Sequence, residues 1–357
     1  MGINYFVPTG YVIKDYLDEY DISQKDLSKR IGVSEKHISN VLSGKARLTE
    51  EMALKLEYVL KDIPASYWLN YEVKYREYLV RSNSEKHLSS ANLKQIAKRF
   101  HFDEVFSGLD WDIVKQAEEM LKILSISDFD CFENAYGKMQ VDFMEDGGQS
   151  EAIAIWLKMC EEQIEIQNSD ISQREYKKKN LENSIDMLKR AALDSSMSGI
   201  EVTARKICNR AGIYLVIYPA IKNCKVRGAL YSYRNHPAIF LSGRFKTHDN
   251  IWFAFFHEIG HLLKHYNMGD IDVSMESEHE NGKEAEANEY ARSILIQDDA
   301  YKNFLLQVSE RPKEAKKMII SFANQQGVLP GVVVGRMQHD KVIDHKEWNE
   351  LKNKIVI

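Results

Sequence analysis

The sequence predicts a multidomain protein. It has an all-α helix-turn-helix N-terminal domain over residues 1–80, an α-helical linker region over 81–195, and an α+β C-terminal domain over 196–357 with a small three-stranded sheet. Three observations predict this. Apolar residues recur at helical spacing from Leu27 to Leu42, interrupted once at Gly32. From 81 to about 195 the chain is polar and helix-prone, with almost no Gly or Pro clusters. Near 199 the texture changes to β-branched and aromatic runs separated by turn residues. At 357 residues the chain exceeds what one ordinary core organises.

In the first domain Leu27, Ile31, Val33, Ile38, Val41 and Leu42 supply the apolar positions of two short helices. Gly32 supplies the turn between them, Ser34 is a suitable N-cap for the second helix, and Gly44 ends it. Thr49 caps "LTEEMALKLEYVL", Pro64 stops that run, and "ASYWLNYEVKYREYL" follows as an aromatic-rich helix. The whole chain carries a net charge of -5, which does not suggest nucleic acid. From Lys25 to Arg47, however, six basic residues face two acidic ones. A helix pair of this kind lays its second helix in a major groove. Gln24 and Lys25 are expected at phosphates, Lys36, His37, Ser39 and Asn40 at base edges, and Lys45 and Arg47 at further phosphates. Ser34, at the start of the reading helix, is counted with them. Operator DNA is the expected partner, and a homodimer is expected because such motifs read paired half-sites.

The middle region reads as "DWDIVKQAEEMLKILSI" and "SEAIAIWLKMCEEQIEI", two amphipathic helices, with the loop "DFMEDGGQSE" between them. "SQREYKKKNLENSIDMLKRAALDSS" reads as one charged helix, a linker or a packed strut. No chemistry is visible here. Composition is that of a globular protein, 44% hydrophobic and 28% charged, without an apolar run near the roughly 20 residues a membrane span needs. No membrane association is expected. The four cysteines are scattered with no CxxC pair, and no signal peptide is visible, so a cytoplasmic protein with reduced thiols is expected.

In the last domain "GIYLVIYP", "VRGALYSY" and "HPAIFLSG" read as three strands of one sheet. Thr247 then caps a helix that contains "FFHEIGHLLKH". His257 and His261 lie about 40° apart on one face and one turn apart, so both imidazoles can reach one metal ion. Glu258 is about 100° round from His257, where a general base for a metal-activated water belongs. The preceding "IWFAFF" is strongly apolar, so the helix is expected to be buried and its histidines partnered. A hydrolytic zinc site takes three protein ligands and an open position. Position 267 is Asn, which argues against the metzincin arrangement, and His265 is one turn too far along. The acidic run "EHENGKEAEANE" is the better source of the third ligand. Glu284 and Glu286 lie about 200° apart on a helix and cannot both face the metal; periodicity leans to Glu284, nearer the stripe of Ala287, Ala291 and Leu295.

"IFLSGRFKTHDNIWFAFFHEIGHLLKH", then "EAEANEYARSILI", then "GVLPGVVVGRMQHD" resemble, in that order, the ImmA/IrrE family of bacterial metallopeptidases over roughly residues 195 to 345. The resemblance implies a zincin-like domain holding Zn2+ through His257, His261 and the glutamate of E-A-N, which is Glu286, with Glu258 as the catalytic base. "LIQDD" departs from relatives that carry a proline after the aliphatic pair. The family cleaves specific DNA-bound repressors. The N-terminal "SQKDLSKRIGVSEKHISNVLSGKARLTEEMALKL" resembles the Cro/repressor helix-turn-helix, most closely the HigA antitoxin subgroup. Together they imply a bacterial DNA-binding regulator carrying a zinc-dependent endopeptidase that cuts a specific protein, a repressor or a partner toxin. The alternative is a non-catalytic antitoxin or repressor whose zincin domain senses a ligand or grips a toxin.

Overall fold

The computed structural model describes residues 6–356 apart from 91, 144–147, 267–271 and 276–281. The chain divides into two compact units, Met1–Leu93 and Lys94–Ile357. The N-terminal unit is helical as expected: α1 (Thr9–Glu19), α2 (Gln24–Ile31), α3 (Glu35–Leu42), α4 (Glu50–Val59) and α5 (Ala65–Ser90). Ser23, Ser34 and Thr49 precede α2, α3 and α4, and each hydroxyl accepts a backbone N–H, from Asp26 at 3.1 Å, His37 at 3.3 Å and Met52 at 3.3 Å. Gly32 takes φ +64° after α2 and Gly44 takes φ +73° after α3, left-handed positions that glycine adopts without strain. Leu27, Ile38, Val41, Leu42 and Leu56 close the core with Ile13 and Leu17 of α1 and Trp68 of α5. Gly10 lets α1 touch the reading helix: a Cβ there would stand 2.0 Å from the Val41 carbonyl oxygen.

The second unit is built on β1 (Tyr214–Ile217), β2 (Val226–Tyr233) and β3 (His236–Leu241), the three strands expected, and a short edge strand, β4 (Asp272–Met275), joins them. The order is β1-β3-β2-β4, with β1 parallel to β3 and the other pairs antiparallel. Arg234 and Asn235 connect β2 to β3 with φ of 44° and 68°, the primed-turn geometry that matches strand twist. A bulge between Val226 and Gly228 places two β2 residues against one of β4. Beyond it Gly228 faces the helix His248–Lys264, which carries H-E-I-G-H, while Val226 and Ala229 face the opposite layer. Leu215, Ile217, Leu230, Ile239 and Leu241 cover Phe255, Phe256 and Ile259 of that helix. Near the C-terminus lie Ala315–Gln326, a turn at Gly327, and Pro330–His339, which buries Val333, Val334 and Met337 in the same core.

The middle region is not a linker. Residues 94–195 belong to the second unit. The helix Ser150–Gln167 covers the far face of the sheet, burying Ile153, Trp156, Cys160 and Ile164 against Val216, Ala238 and Phe240. The Trp156 indole donates to the Tyr218 carbonyl at 3.0 Å, and Gln167 completes the ladder edge at Ile217 through its side-chain amide. Trp156→Ala is therefore expected to cost about 3–5 kcal/mol, read as a lower urea midpoint; a loss below about 1 kcal/mol would show that this layer carries little of the fold. "DWDIVKQAEEMLKILSI" forms Ile113–Ile123, with Asp112 as its N-cap. The charged stretch forms two short helices rather than one, Lys178–Glu182 and Ile185–Ala191, and buries Leu181 and Leu188, so it packs as a strut. The middle of "DFMEDGGQSE" and part of the polar loop before Gly282 lie outside the described residues, as does position 267. Among the described residues no single helix is long and apolar enough to cross a membrane.

Candidate metal centre and nucleic-acid interface

Two helices build the centre: His248–Lys264 and Gly282–Leu295. The first starts after Thr247, as expected, but the Thr247 hydroxyl accepts from the Asn250 side chain at 2.6 Å rather than from a backbone N–H. Its run of Ile251, Trp252, Phe255 and Phe256 is buried on the sheet, which forces the facing side of the next turn inward as well. His257, Glu258 and His261 are consequently 5%, 0% and 0% exposed, against the surface position a stray pentapeptide would occupy. The second helix approaches closely because position 260 is glycine. A Cβ there would stand 3.1 Å from the Ala287 Cα.

That approach brings Glu284 to the histidines. Its Oε2 is 3.1 Å from His257 Nε2 and its Oε1 is 3.0 Å from His261 Nε2, and the two Nε2 atoms are 3.0 Å apart. Among the described residues these three form a set with ligand atoms within 4.8 Å of one another. Donors bound at about 2.0–2.1 Å around a tetrahedral ion stand about 3.3 Å apart, so the set fits a zinc-sized ion. Burial pushes the Glu284 carboxyl up, but in the metal-free site hydrogen bonds and charge from His257 and His261, when these are protonated at Nε2, outweigh it and bring its pKa to about 2; a bound ion takes the place of those protons. Glu284 thus stays an anionic donor at any pH near neutrality.

Glu286, the residue implied by family resemblance, is not in this set. It lies about 200° round the helix from Glu284, its side chain is 57% exposed, and it faces His265 Nε2 at 3.3 Å and Lys264 Nζ at 3.9 Å. The overlapping register of E-A-E-A-N accounts for the two candidates: two glutamates share one short motif, and only the position of the neighbouring helix separates them. Glu286 still reaches the centre at second hand, since His265 Nδ1 is 3.3 Å from His261 Nδ1. His265 itself is one turn beyond the set, as expected. One tautomer assignment satisfies the row: His261 Nδ1–H donates to His265, and His265 Nε2–H donates to Glu286, so that His261 Nε2 is the atom on the side of Glu284 and His257.

Two residues escaped the sequence reading. The Asn288 side-chain oxygen lies 2.9 Å from His257 Nδ1, so that nitrogen carries the proton and Nε2 keeps its lone pair. Asn288 is four residues after Glu284, so helical spacing could have found it once Glu284 was chosen. Gly228 stands over Glu258: a Cβ there would be 2.5 Å from Glu258 Oε1 and 3.0 Å from its Cγ and Cδ. Nothing in the sequence marks this glycine.

In the N-terminal unit the expected contact residues lie on the surface of α2, α3 and the following loop. Gln24, Lys25, Ser34, Lys36, His37, Ser39, Lys45 and Arg47 are exposed and Asn40 is half-buried, while Ile38, Val41 and Leu42 face inward. Ser34 spends its hydroxyl on the His37 N–H, and Arg47 lies 3.7 Å from Glu50.

Comparison with known proteins finds a family match in each unit. Residues 13–68 match the helix-turn-helix family, and residues 208–313 match the IrrE N-terminal-like domain of a peptidase family. The N-terminal stretch is thus similar to helix-turn-helix domains and the C-terminal stretch to IrrE-like domains. The first match takes in α1 to α4 and the start of α5; the second takes in the sheet, the H-E-I-G-H helix and Glu284. An uncharacterised HTH-type transcriptional regulator of Escherichia coli, YddM, is 38% identical over 61 residues, which are 17% of this chain. The chain spans 64% of that relative's length.

Proposed function

We propose that this protein is a DNA-binding regulator whose IrrE-like domain is a zinc-dependent endopeptidase. The observation that carries the peptidase reading is the triad of His257, His261 and Glu284 beside a fully buried Glu258. The three side chains would hold Zn2+, which supplies Lewis acidity to a water and to the scissile carbonyl. Glu258 does the proton work. Its carboxylate takes a proton from the attacking water, and it later delivers that proton to the amide nitrogen as the C–N bond breaks. Water is consumed, and one carboxylate and one amine are formed. Gly228 leaves the space in which the Glu258 side chain lies, and Asn288 and His265 hold the two imidazoles in the metal-binding tautomer.

The helix-turn-helix domain places that activity on an operator. Lys36, His37, Ser39 and Asn40 lie on the exposed side of α3, and Gln24, Lys25, Lys45 and Arg47 flank it, an arrangement that reads base edges between phosphate contacts. Tethering on DNA raises the peptidase concentration near proteins bound at the same promoter, so the substrate class we favour is a repressor or partner toxin encoded beside it. Pairing of half-sites calls for a homodimer. The test combines zinc content with cleavage of neighbouring gene products by wild type and Glu258→Gln. Zinc in both proteins with cleavage only in wild type upholds the reading; bound zinc with no cleavage in either moves it to a sensing or toxin-binding module. For the DNA domain, Lys36→Ala with Asn40→Ala should weaken binding to an operator selected from random duplexes by tenfold or more, at about 1–3 kcal/mol per base contact. Lys45→Ala should weaken all sequences alike and reduce the salt slope by about one. A double variant that binds like wild type would remove α3 as the reading helix.

A further inference from the structure

Next to the triad, the helices His248–Lys264, Gly282–Leu295 and Pro330–His339 line a cavity of about 430 Å³. Phe253 and Asn288 stand at its near end. The Phe253 ring centre is 6.4 Å from that of His257, and Asn288 contacts His257 directly. Four cations line the cavity, Arg227, Arg292, Arg336 and Lys352, against one carboxylate, Asp249. That carboxylate is paired through Oδ2 with Lys352 at 2.9 Å while its Oδ1 is buried without a hydrogen bond, and Gly335 fits beneath it with no room for a methyl group, at 2.6 Å from Oδ2. The Arg336 guanidinium is fixed by Asp340 at 2.7 Å and Asp298 at 3.3 Å, yet its Nη1 is buried without a hydrogen bond. A buried guanidinium N–H of that kind is costly unless an acceptor meets it. The apolar part of the wall combines Phe245 and Phe253 with Leu295, Ile296 and Val332, and the Arg227 guanidinium lies 5.2 Å from the Phe245 ring centre.

We propose that this cavity is a binding subsite for a carboxylate carried on an apolar or aromatic group. The volume suits a small organic ligand or a side chain with its neighbours. Arginine forks match a carboxylate with paired charge-assisted hydrogen bonds, and the phenyl rings cover the group that carries it. The carboxylate comes from an acidic side chain of a peptide that enters the cavity or from a free organic acid that occupies it as an effector. In either case the ligand borders Asn288 and therefore the residue that orients His257. The inference goes beyond the peptidase reading and needs neither zinc nor turnover.

The experiment measures binding by thermal melting and calorimetry of the full chain without added metal, using two matched pairs of probes. Phenylacetate is compared with phenylacetamide, and a blocked hexapeptide containing one Glu with the same peptide containing Gln. In at least one pair the charged member is expected to bind and its neutral counterpart not, with affinity falling as salt rises. Arg292→Gln and Arg227→Gln, made separately, are expected to lose about tenfold or more, and their own melting without probe reports whether they fold. Discrimination between the peptides assigns the carboxylate to a substrate side chain; discrimination with phenylacetate alone assigns it to a free acid. Equal responses within both pairs, or wild-type affinity in a folded Arg292→Gln, overturn the proposal.

Discussion

Glu284→Ala is expected to bind zinc at least about a hundredfold more weakly than wild type, while Glu286→Ala stays within about tenfold to a hundredfold and retains one ion per chain at micromolar protein. The difference follows from position. Glu284 offers both oxygens to the two imidazole nitrogens at 3.0–3.1 Å, so its loss removes a donor and a charge from a site that is otherwise neutral imidazole. Glu286 acts through His265 and only orients His261, and partners of that kind contribute one to two decades of affinity. Elemental analysis of the dialysed proteins, followed by competition with a zinc chelator, separates the two. An ion lost from Glu286→Ala and kept in Glu284→Ala would return the third donor to the glutamate that family resemblance implied.

Glu258→Gln is expected to keep its zinc and lose peptide-bond cleavage by about two to four decades, the usual contribution of a positioned proton carrier. The amide is nearly isosteric with the carboxylate, so the buried volume stays filled and the fold is preserved while the proton acceptor is gone. Gly228→Ala should reach part of the same deficit without touching a catalytic residue. Its new methyl would meet Glu258 Oε1 at 2.5 Å and the Cγ and Cδ atoms at 3.0 Å, and the fully buried side chain must then swing out of place. A displacement near 1 Å costs about a hundredfold in rate. Steady-state cleavage with parallel zinc measurement tests both variants. Wild-type turnover in Gly228→Ala would mean that Glu258 has slack which the close packing does not suggest.

The two sites differ in how far the sequence revealed them. His257, Glu258 and His261 belong to one helix, and the helix period alone places them on adjoining faces. The caps at Ser34 and Thr49 and the glycines at 32 and 44 were equally local, and they fixed the helix-turn-helix nearly to the residue. The third carboxylate depends on where a second helix lies. Periodicity favours Glu284 through its nearness to Ala287, Ala291 and Leu295, and the motif E-A-N favours Glu286; the close approach at Gly260 brings Glu284, and not Glu286, beside the two histidines. The middle region carries the sequence marks of a linker because its charged flanks mask "AIAIWL". Those six residues are buried all round, a mark of a helix sandwiched in a core rather than of a strut in water. β4 gave little signal, since four residues between polar loops pair only with an edge already formed.

Gly260 sits in the signature itself, between Glu258 and His261, yet it donates nothing to the chemistry. What it governs is clearance. The donor set is held to tolerance by the gap between two backbones, and that gap is about one methyl group wide. A gene copy with alanine at this place would still spell H-E-x-x-H and still present every donor and its acid-base partner in the right order along the chain. Its second helix would have to give by a few tenths of an ångström, and Glu284, carried on that helix, would shift with it relative to the imidazoles. Counting signature residues therefore measures ancestry in proteins of this kind, whereas the fit between the two helices measures whether the machinery survives.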